Sequence, residues 1–361
     1  MIFQKQNADN IGLSFLGGVV VGDMLQDYKV ATDCFLKLFC YHWNQVLKEL
    51  GEQQAQLNAG NRLRPQICLW GYLATIQPDE VKTHDFSKIA SIAVSIEMIH
   101  KASLLLDDWI DDDSERHGHP SFHVEHDPQY AVLFSLNMIG LAMTRLEDVF
   151  PVTLVLPHHY HMCVNTLIKT IYAMAKGALK ELRLREDDFF NYEKIREITQ
   201  LETAEIIGNS FLLGYYAGIG ENCDEQVEKA FKKIGDQCGY LFQALNDLEA
   251  FGNPNQLKNH KGALNLDLFS NRKNLAVATL YEVANRRDQI ILQQANEECL
   301  VQMMAKYRIV ESMTSELRTV YKDILSSAAS LNTLGLSETW CEGLCWFLGQ
   351  VKRFAEERLK G

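Results

Sequence analysis

Apolar and polar residues follow one another along this chain mostly with the period of an α-helix. Between residues 32 and 50, "TDCFLKLFCYHWNQVLKEL", apolar side chains recur every three or four positions and form one broad stripe. The same period is found in these further stretches: 88–112, 130–150, 192–218, 225–251, 273–305 and 310–330. Turn-forming residues at 217–225 and 251–256 separate some of the predicted helices.

Patterns that predict β-strands are hard to find. Only seven prolines occur, and Pro254 is the only one after Pro157, so this kind of helix breaker is nearly absent from the second half. The sequence contains no internal repeat and no obvious linker. It therefore predicts an all-α protein with a single domain over residues 31–361, preceded by an extension over residues 1–30 that we expect to be loose.

A dense acidic cluster ends the apolar stretch 88–112. Five aspartates fall within seven positions, from Asp107 to Asp113, directly after three leucines. On a helix, Asp107 and Asp111 share one face and Asp108 lies beside them. Carboxylates this close repel one another unless a cation lies among them, and a set of charged oxygen ligands favours Mg²⁺. The alternative is a solvated acidic helix end.

Composition and charge narrow the range of partners. The formal net charge is −12 and the pI is about 5.4, which argues against nucleic acid or an anionic membrane as the main partner. The nine cysteines contain no Cys-x-x-Cys pair, which predicts reduced thiols and a cytoplasmic location. The apolar run from Ile11 to Val21 is too short to span a bilayer, so we expect no integral membrane segment.

The segment "DDWIDDDSERHGHP", residues 107–120, resembles the first aspartate-rich motif of the trans-isoprenyl diphosphate synthases, also called polyprenyl synthetases. That motif reads DDxxD, then four residues, then RRGxP. Other segments are similar to family motifs and follow the family's order: "GNRLRP" at 60–65, "EMIHKASLLLDD" at 97–108, "YLFQALNDLEAFG" at 240–252 and "DLFSNRKNLA" at 267–276.

The resemblance implies an all-α bundle around a deep central cavity, and an enzyme that ionises an allylic prenyl diphosphate with three Mg²⁺ ions. The implied catalytic residues are Asp107, Asp108, Asp111 and Arg116. The implied metal ligands are Asp107, Asp108, Asp111, Asn246 and Asp247. The implied substrate-binding residues are Arg64, His100, Arg116, Gln243, Lys261 and Arg272. We also expect a homodimer.

Several positions depart from the family pattern. The lysine of the family's GKRLRP and the second arginine of RRGxP help to bind isopentenyl diphosphate, and here these positions hold Asn61 and His117. A family lysine that contacts the allylic diphosphate corresponds to Glu202, which could weaken substrate binding, bind metal or be a plain surface acid. The second aspartate-rich motif is eroded, since Asn246 and Ala250 replace its outer aspartates.

These departures fall mainly on the half of the site that would bind isopentenyl diphosphate. Our main interpretation is therefore a terpene synthase, which ionises one allylic diphosphate and lets that molecule's own double bonds attack the cation. One alternative is a chain-elongating synthase of the geranylgeranyl type that tolerates Asn61 and His117. Another is a non-catalytic partner subunit.

Two small residues, Ala102 and Ser103, lie five and four positions before the first aspartate of the cluster. In the family, side chains at these positions face the isoprenoid chain one helical turn below the metals. Small side chains leave room there, and each buried methylene adds hydrophobic stabilisation, so we expect an allylic substrate of C20 or longer. The alternative is that both residues are small only to allow close helix packing.

Overall fold

The computed structural model describes residues 23–51, 55–116, 118–150, 158–187, 190–219, 223–252, 273–293, 295 and 297–360. Apart from one short hairpin, every regular element in this part of the chain is helical, so the predicted all-α class is confirmed. The α-helices are α1 Asp23–Leu50, α2 Ala55–Asn58, α3 Leu63–Leu73, α4 Ser87–Asp111, α5 Phe122–Glu125, α6 Pro128–Val149, α7 His158–Asp187, α8 Tyr192–Thr199, α9 Glu205–Gly218, α10 Glu225–Gly252, α11 Leu275–Val283, α12 Arg286–Leu292, α13 Glu297–Lys306, α14 Ile309–Ala329 and α15 Glu338–Lys360.

The remaining elements are short. Strands β1 Glu115–Arg116 and β2 His119–Pro120 pair antiparallel. A π-helical turn, Gln200–Ala204, joins α8 to α9. Turns of 3₁₀ helix occur at Val81–Thr83 and Ser330–Leu334.

Helical periodicity located several helices well. The bounds of α4, α6, α10 and α14 differ from the predicted ones by two residues or fewer. Helix α1 begins earlier than predicted, because Tyr28 is buried and stacks on Trp70 with 5.5 Å between the ring centroids. Residues 23–30 of the predicted extension therefore belong to α1, and residues 1–22 lie outside the described part.

The prediction of one helix over 273–305 is wrong. The structure has three helices there, and the first break has a clear cause in Asn285. Its side-chain oxygen accepts a hydrogen bond from the amide of Asp288 at 3.0 Å, and its Nδ2 donates to the hydroxyl of Tyr307 at 2.9 Å. Asparagine in this role favours the start of a new helix over continuation of the old one.

Helix α9 forms the centre of the bundle, since every residue from Ile206 to Ala217 is buried. It packs against α3, α4, α7 and α10. The crossing with α3 needs glycine on both sides: a Cβ added at Gly71 would lie 2.0 Å from the carbonyl oxygen of Phe211, and one at Gly214 would lie 1.8 Å from that of Cys68. This close contact fixes α3, and with it the segment that leads into α3, against the core.

Helix α4 carries the acidic cluster at its C-terminal end. It packs against α1, α3 and α6, and apolar residues face inward on most of its circumference, as expected for a core helix. Among the described residues, α4 is the one helix long and apolar enough to cross a membrane, yet 72% of its most apolar window is buried inside the protein.

Candidate active site

The acidic cluster lies where α4 ends. Asp111 is the last helical residue, and Asp112 then adopts a left-handed backbone conformation with φ 57°. The amide of Asp113 donates to the carbonyl of Asp108 at 2.9 Å, which is the Schellman arrangement that commonly ends a helix. The hairpin β1–β2 follows and brings Arg116 back onto the cluster.

Arg116 contacts three aspartates of the cluster, most closely Asp108, and its Nη2 lies 4.0 Å from Oδ2 of Asp113. Its Nε donates to Oδ1 of Asp108 at 2.5 Å, and its Nη2 also contacts that oxygen. Nη2 lies 3.7 Å from Oδ2 of Asp107. Asp108 is completely buried, whereas the side chain of Asp107 is 50% exposed. The other oxygen of Asp108, Oδ2, is buried and accepts no hydrogen bond from any residue that the structure describes.

Burial and charge act in opposite directions on this ion pair. Burial raises the pKa of Asp108, and the attraction of Arg116 limits that rise. Burial alone would lower the pKa of Arg116, but the adjacent Asp108 carboxylate outweighs this, so the pKa is raised and the guanidinium stays charged. The last carbonyls of α4 add partial negative charge at the same place. The cluster therefore attracts cations even with Arg116 bound.

The acidic cluster suits Mg²⁺. Asp107 reaches solvent, Asp108 keeps a buried oxygen without a protein donor, and Asp111 is half-buried one turn away. Within the described ranges, no three acidic, histidine or cysteine side chains form a complete metal site. Mg²⁺ commonly takes one or two carboxylates and completes its shell with water and substrate phosphates.

Several basic side chains lie next to the acidic cluster. We call Arg62, Arg64, His100 and Lys101 the basic cluster; the arginines come from the start of α3 and the other two from α4. Arg62 donates to Oε1 of Glu97 at 2.7 Å, and both side chains are 3% exposed. Arg62 also donates to the backbone carbonyls of the last two residues of α2, so it ties the end of α2 to α4.

His100 and Arg64 were predicted to bind substrate, and the structure places both in the basic cluster. Burial and the nearby charges of Arg64, Lys101 and Arg116 hold the pKa of His100 well below its usual range, so His100 is neutral. Burial lowers the pKa of Arg64, whose Nε is buried and donates to no described residue. Buried donors without partners are rare in proteins and suggest a ligand.

Asn61 belongs to the segment that leads into α3. Its side-chain oxygen accepts a hydrogen bond from the amide of Leu63 at 3.2 Å, and its carbonyl accepts one from Nε2 of Gln66 at 2.8 Å. Asn61 therefore shapes the start of α3 and adds no charge. The sequence reasoning missed Arg62, Glu97 and Lys101, although Arg62 lies within "GNRLRP" and Lys101 follows His100 directly.

The second acidic region lies on α10, and Asp247 is at its centre. Oδ1 of Asp247 accepts a hydrogen bond from Nε2 of Gln243 at 2.9 Å, and Oδ2 accepts one from the amide of Leu275 at 2.6 Å. The carboxylate thus binds the start of α11 to α10. Gln243 also accepts a hydrogen bond from the hydroxyl of Thr203 at 3.2 Å. Asn246 is exposed. Metal binding by Asp247 and Asn246, and substrate binding by Gln243, stay predictions.

Glu202 lies in the π-helical turn, where sequence periodicity predicted a regular helix. It forms an ion pair with Lys273, and Nζ of Lys273 lies 2.8 Å from Oε2 of Glu181 on α7. Gly177 permits this approach, because a Cβ there would lie 2.4 Å from Cγ of Glu202. The side chain of Glu202 is only 16% exposed, so the plain surface acid is excluded. No sequence signal pointed to Glu181 or Lys273.

Of the other predicted site residues, the structure describes two and leaves three outside the described ranges. Ala102 is completely buried, and Ser103 is partly exposed with its hydroxyl bonded to the carbonyl of His100 at 2.8 Å. His117, Lys261 and Arg272 lie outside the described residues.

Residues 44–311 match the protein-family model described as polyprenyl synthetase, which is more than half of the chain. The chain belongs to the polyprenyl synthetase family. Among curated relatives, heptaprenyl diphosphate synthase component 2 from Bacillus subtilis is 25% identical over 322 residues, which cover 85% of this chain and 83% of the relative. Geranylgeranyl pyrophosphate synthase 10, mitochondrial, from Arabidopsis thaliana is 28% identical over 53% of this chain, which spans about half (54%) of that relative's length.

Solved structures of polyprenyl synthetase proteins share the fold. A geranyltransferase from Helicobacter pylori, complexed with magnesium and isoprenyl diphosphate, superposes with a TM-score of 0.69 at 20% identity and covers 93% of this chain and all (100%) of that one. A polyprenyl synthase from Caulobacter crescentus reaches a TM-score of 0.70 at 17% identity, over 94% of this chain and 97% of that one. The family and fold predicted from the aspartate-rich motif are thus confirmed.

Proposed function

We propose that this protein is a Mg²⁺-dependent prenyl diphosphate synthase that joins isopentenyl diphosphate to an allylic prenyl diphosphate. The observation that carries the proposal is that two different regions, each able to receive a diphosphate, lie side by side. The acidic cluster would bind a diphosphate through Mg²⁺, and the basic cluster would bind one directly through its buried donors. A reaction that couples two diphosphate substrates needs both. The relatives named above are prenyl diphosphate synthases, which favours this alternative over the terpene synthase that we preferred from the sequence.

The two regions have different tasks in such a reaction. Asp107 and Asp108 would hold Mg²⁺, and Asp111 would support them one turn away. When bound, Mg²⁺ neutralises charge on the leaving diphosphate and so eases its departure from the allylic carbon. Arg116, already fixed by Asp108, adds positive charge beside the leaving group.

The second substrate needs a different environment. The diphosphate of isopentenyl diphosphate must stay attached during the reaction, so it is best held by side-chain cations alone. Arg64 offers such charge, and neutral His100 can donate a hydrogen bond to the diphosphate without adding positive charge. The double bond of isopentenyl diphosphate attacks the allylic cation, a carbon–carbon bond forms and one proton is lost.

The test is an incubation with Mg²⁺ and C10, C15 or C20 allylic diphosphates, with and without isopentenyl diphosphate, followed by mass spectrometry of the products. We expect longer prenyl diphosphates only when isopentenyl diphosphate is present. Hydrocarbon or alcohol formed without it would instead support a terpene synthase. Absence of turnover with every substrate, in protein whose fold is verified by circular dichroism, would support a non-catalytic subunit.

We also propose a preference for allylic substrates of C20 or longer, supported by the small, partly exposed side chain of Ser103 just below the acidic cluster; Ala102 is completely buried and adds no support. Comparing kcat/KM for C10 to C25 allylic diphosphates tests this. The bulky side chain introduced by Ser103→Phe should move the optimum in kcat/KM to shorter allylic substrates. A C10 or C15 optimum in the wild-type protein would overturn the proposal.

A homodimer remains part of the proposed function, and exposed apolar side chains support it. Leu133 and Leu136 on α6 are 66% and 57% exposed, and Tyr172 on α7 is 68% exposed. Helices α6 and α7 contact each other, so these side chains lie on neighbouring elements. Exposed apolar surface of this kind suits a second copy of the chain. Light scattering should give the dimer mass for the wild-type protein and the monomer mass for Leu133→Glu with Leu136→Glu.

A cytoplasmic location stays a prediction.

A further inference from the structure

Lys101 places a buried ammonium group beside the segment that leads into α3. Its Nζ donates to the carbonyl of Ala59 at 2.6 Å, although the two residues are 42 positions apart. A Cβ added at Gly60 would lie 3.7 Å from the same Nζ. The residue is 5% exposed. The charge of Lys101 therefore lies beside residues 59 and 60, directly before the uncharged Asn61 in the chain.

The surroundings of Lys101 are mostly cationic. Arg62, Arg64 and Arg116 are close enough to disfavour its charged form, and Glu97 is the acid that favours it. Glu97 already accepts a hydrogen bond from Arg62 at 2.7 Å. Burial and these guanidinium groups together lower the pKa of Lys101 to about 8. A buried amine among arginines costs folding free energy, which is a typical sign of a site that receives an anion.

We propose that Lys101 is a further substrate-binding residue, which contacts the diphosphate of isopentenyl diphosphate and supplies the positive charge that Asn61 lacks. This inference rests on the proposed function. An ammonium group and the Arg64 guanidinium would share the phosphate oxygens, with no metal between them. The half-site that looks damaged in the sequence is thus completed by a residue of α4.

A purely structural role for Lys101 makes a different prediction. If Lys101 only ties α4 to the carbonyl of Ala59, the charge is unimportant and a neutral donor should suffice. Lys101→Gln keeps an N–H donor and removes the charge, whereas Lys101→Arg keeps the charge. The matched control is Lys88→Gln, the same substitution at an exposed position near the other end of α4. Thermal melting of each variant verifies that it is folded.

The binding experiment titrates isopentenyl diphosphate into each protein by calorimetry, without allylic substrate and without Mg²⁺. We expect Lys101→Gln to weaken binding about 10-fold or more, as for loss of one charge-assisted hydrogen bond, with Lys101→Arg and Lys88→Gln close to wild type. In steady-state assays, Lys101→Gln should raise the KM for isopentenyl diphosphate and leave the KM for the allylic substrate within about 2-fold. Wild-type affinity in Lys101→Gln would overturn the proposal.

A rescue variant separates charge from structure. In Lys101→Gln, the further change Asn61→Lys should restore much of the lost affinity, because the new ammonium enters the same anion site from the neighbouring segment. A structural role of Lys101 would give no rescue. Loss of affinity without rescue, together with a lowered melting temperature, would overturn the proposal in favour of the structural role.

The pH profile gives an independent readout. Between pH 7.5 and pH 9.5, wild-type affinity for isopentenyl diphosphate should fall, because the Lys101 ammonium loses its proton around pH 8, and the affinity of Lys101→Gln should stay flat. His100 is neutral throughout this range and the guanidinium groups stay charged. The charged and titratable groups that face Lys101 are Arg62, Arg64, Glu97, His100 and Arg116. An unchanged slope in Lys101→Gln would contradict the assignment.

These measurements distinguish the inference from the proposed function. Binding of isopentenyl diphosphate that depends on Lys101, with no elongated product in any assay, would overturn the proposed function and leave the assignment of Lys101 intact. Elongation by the wild-type protein with equal binding in Lys101→Gln would overturn the assignment alone.

Discussion

The two acidic regions of this protein differ in how their buried aspartates are bonded. In the first, Arg116 occupies one oxygen of the buried Asp108, and the other oxygen accepts no hydrogen bond from the described residues. In the second, both oxygens of Asp247 accept hydrogen bonds, from Gln243 and from the amide of Leu275. One carboxylate is held ready for a ligand, and the other supports the start of a helix.

The comparison shows that protein donors can already occupy both oxygens of an aspartate retained at a motif position. Leaving a buried oxygen such as Oδ2 of Asp108 without a donor costs folding free energy, about 1–3 kcal/mol. Proteins usually tolerate such a cost where a bound ligand supplies the missing interaction. Asp247 has no such cost, because its carboxylate stabilises the junction between α10 and α11. The first region is therefore the better candidate for the group that activates the leaving diphosphate.

The strongest test of this comparison is Asp107→Asn. We expect kcat to fall about 100-fold or more, because a metal ligand loses its charge, with no change in melting temperature since Asp107 is half exposed. Asp107 is a better target than Asp108, whose removal would take from the buried Arg116 its one hydrogen-bonded carboxylate among the described residues and cost stability, up to about 3–5 kcal/mol.

Asp112→Asn is the matched control for Asp107→Asn. Asp112 belongs to the same cluster, its side chain is 100% exposed, and asparagine tolerates its left-handed backbone conformation. Its kcat should stay near wild type. An equal loss of activity in both variants would show that the total charge of the cluster matters and that Asp107 is not a specific ligand.

The second test exchanges Asp247 for alanine and for asparagine. Asp247→Ala removes the acceptor for the amide of Leu275 and should lower the free energy of unfolding by about 1–3 kcal/mol, measured with urea. Asp247→Asn keeps an acceptor oxygen, and Gln243 can rotate its amide to match, so most of the stability should remain. Complete loss of turnover in a fully stable Asp247→Asn would show that the negative charge is needed and would favour the predicted metal role.

The sequence was informative where the relevant contacts are local. Helical periodicity placed α4 and α10 almost to the residue, and the spacing of Asp107, Asp108 and Asp111 put them at one helix end. The link between Asp247 and Leu275 spans 28 positions, and that between Lys273 and Glu181 spans 92. Periodicity within a helix carries no information about such distant partners.

A substitution considered at one position alone gave an incomplete account of the charge in the basic cluster. Asn61 lacks the charge of the family's lysine, and from the sequence we interpreted this as damage to the site. In the folded protein, the ammonium of Lys101 on α4 donates to the carbonyl of Ala59, two positions before Asn61. The net charge of a site depends on every element that borders it, so loss of a cation at one position does not establish loss of charge from the site.

The smallest expected effect concerns Glu202, the acid that replaces a family lysine. Its ion pair with Lys273 is mostly buried, with side chains 16% and 14% exposed, and Lys273 also contacts Glu181. A double-mutant cycle with Glu202→Gln and Lys273→Gln should give an interaction free energy of about 1 kcal/mol in urea unfolding. The ion pair between Glu225 and Lys229 serves as the control, since its side chains are 78% and 71% exposed and its cycle should give about 0.3–0.5 kcal/mol. A cycle for Glu202 and Lys273 no larger than the control would mean that Lys273 does not hold Glu202 in place.

The remaining alternative is that Glu202 is a metal ligand, and calorimetric titration with Mg²⁺ and inorganic diphosphate tests it. If Glu202 binds the metal, Glu202→Gln should bind Mg²⁺ more weakly than the wild-type protein does.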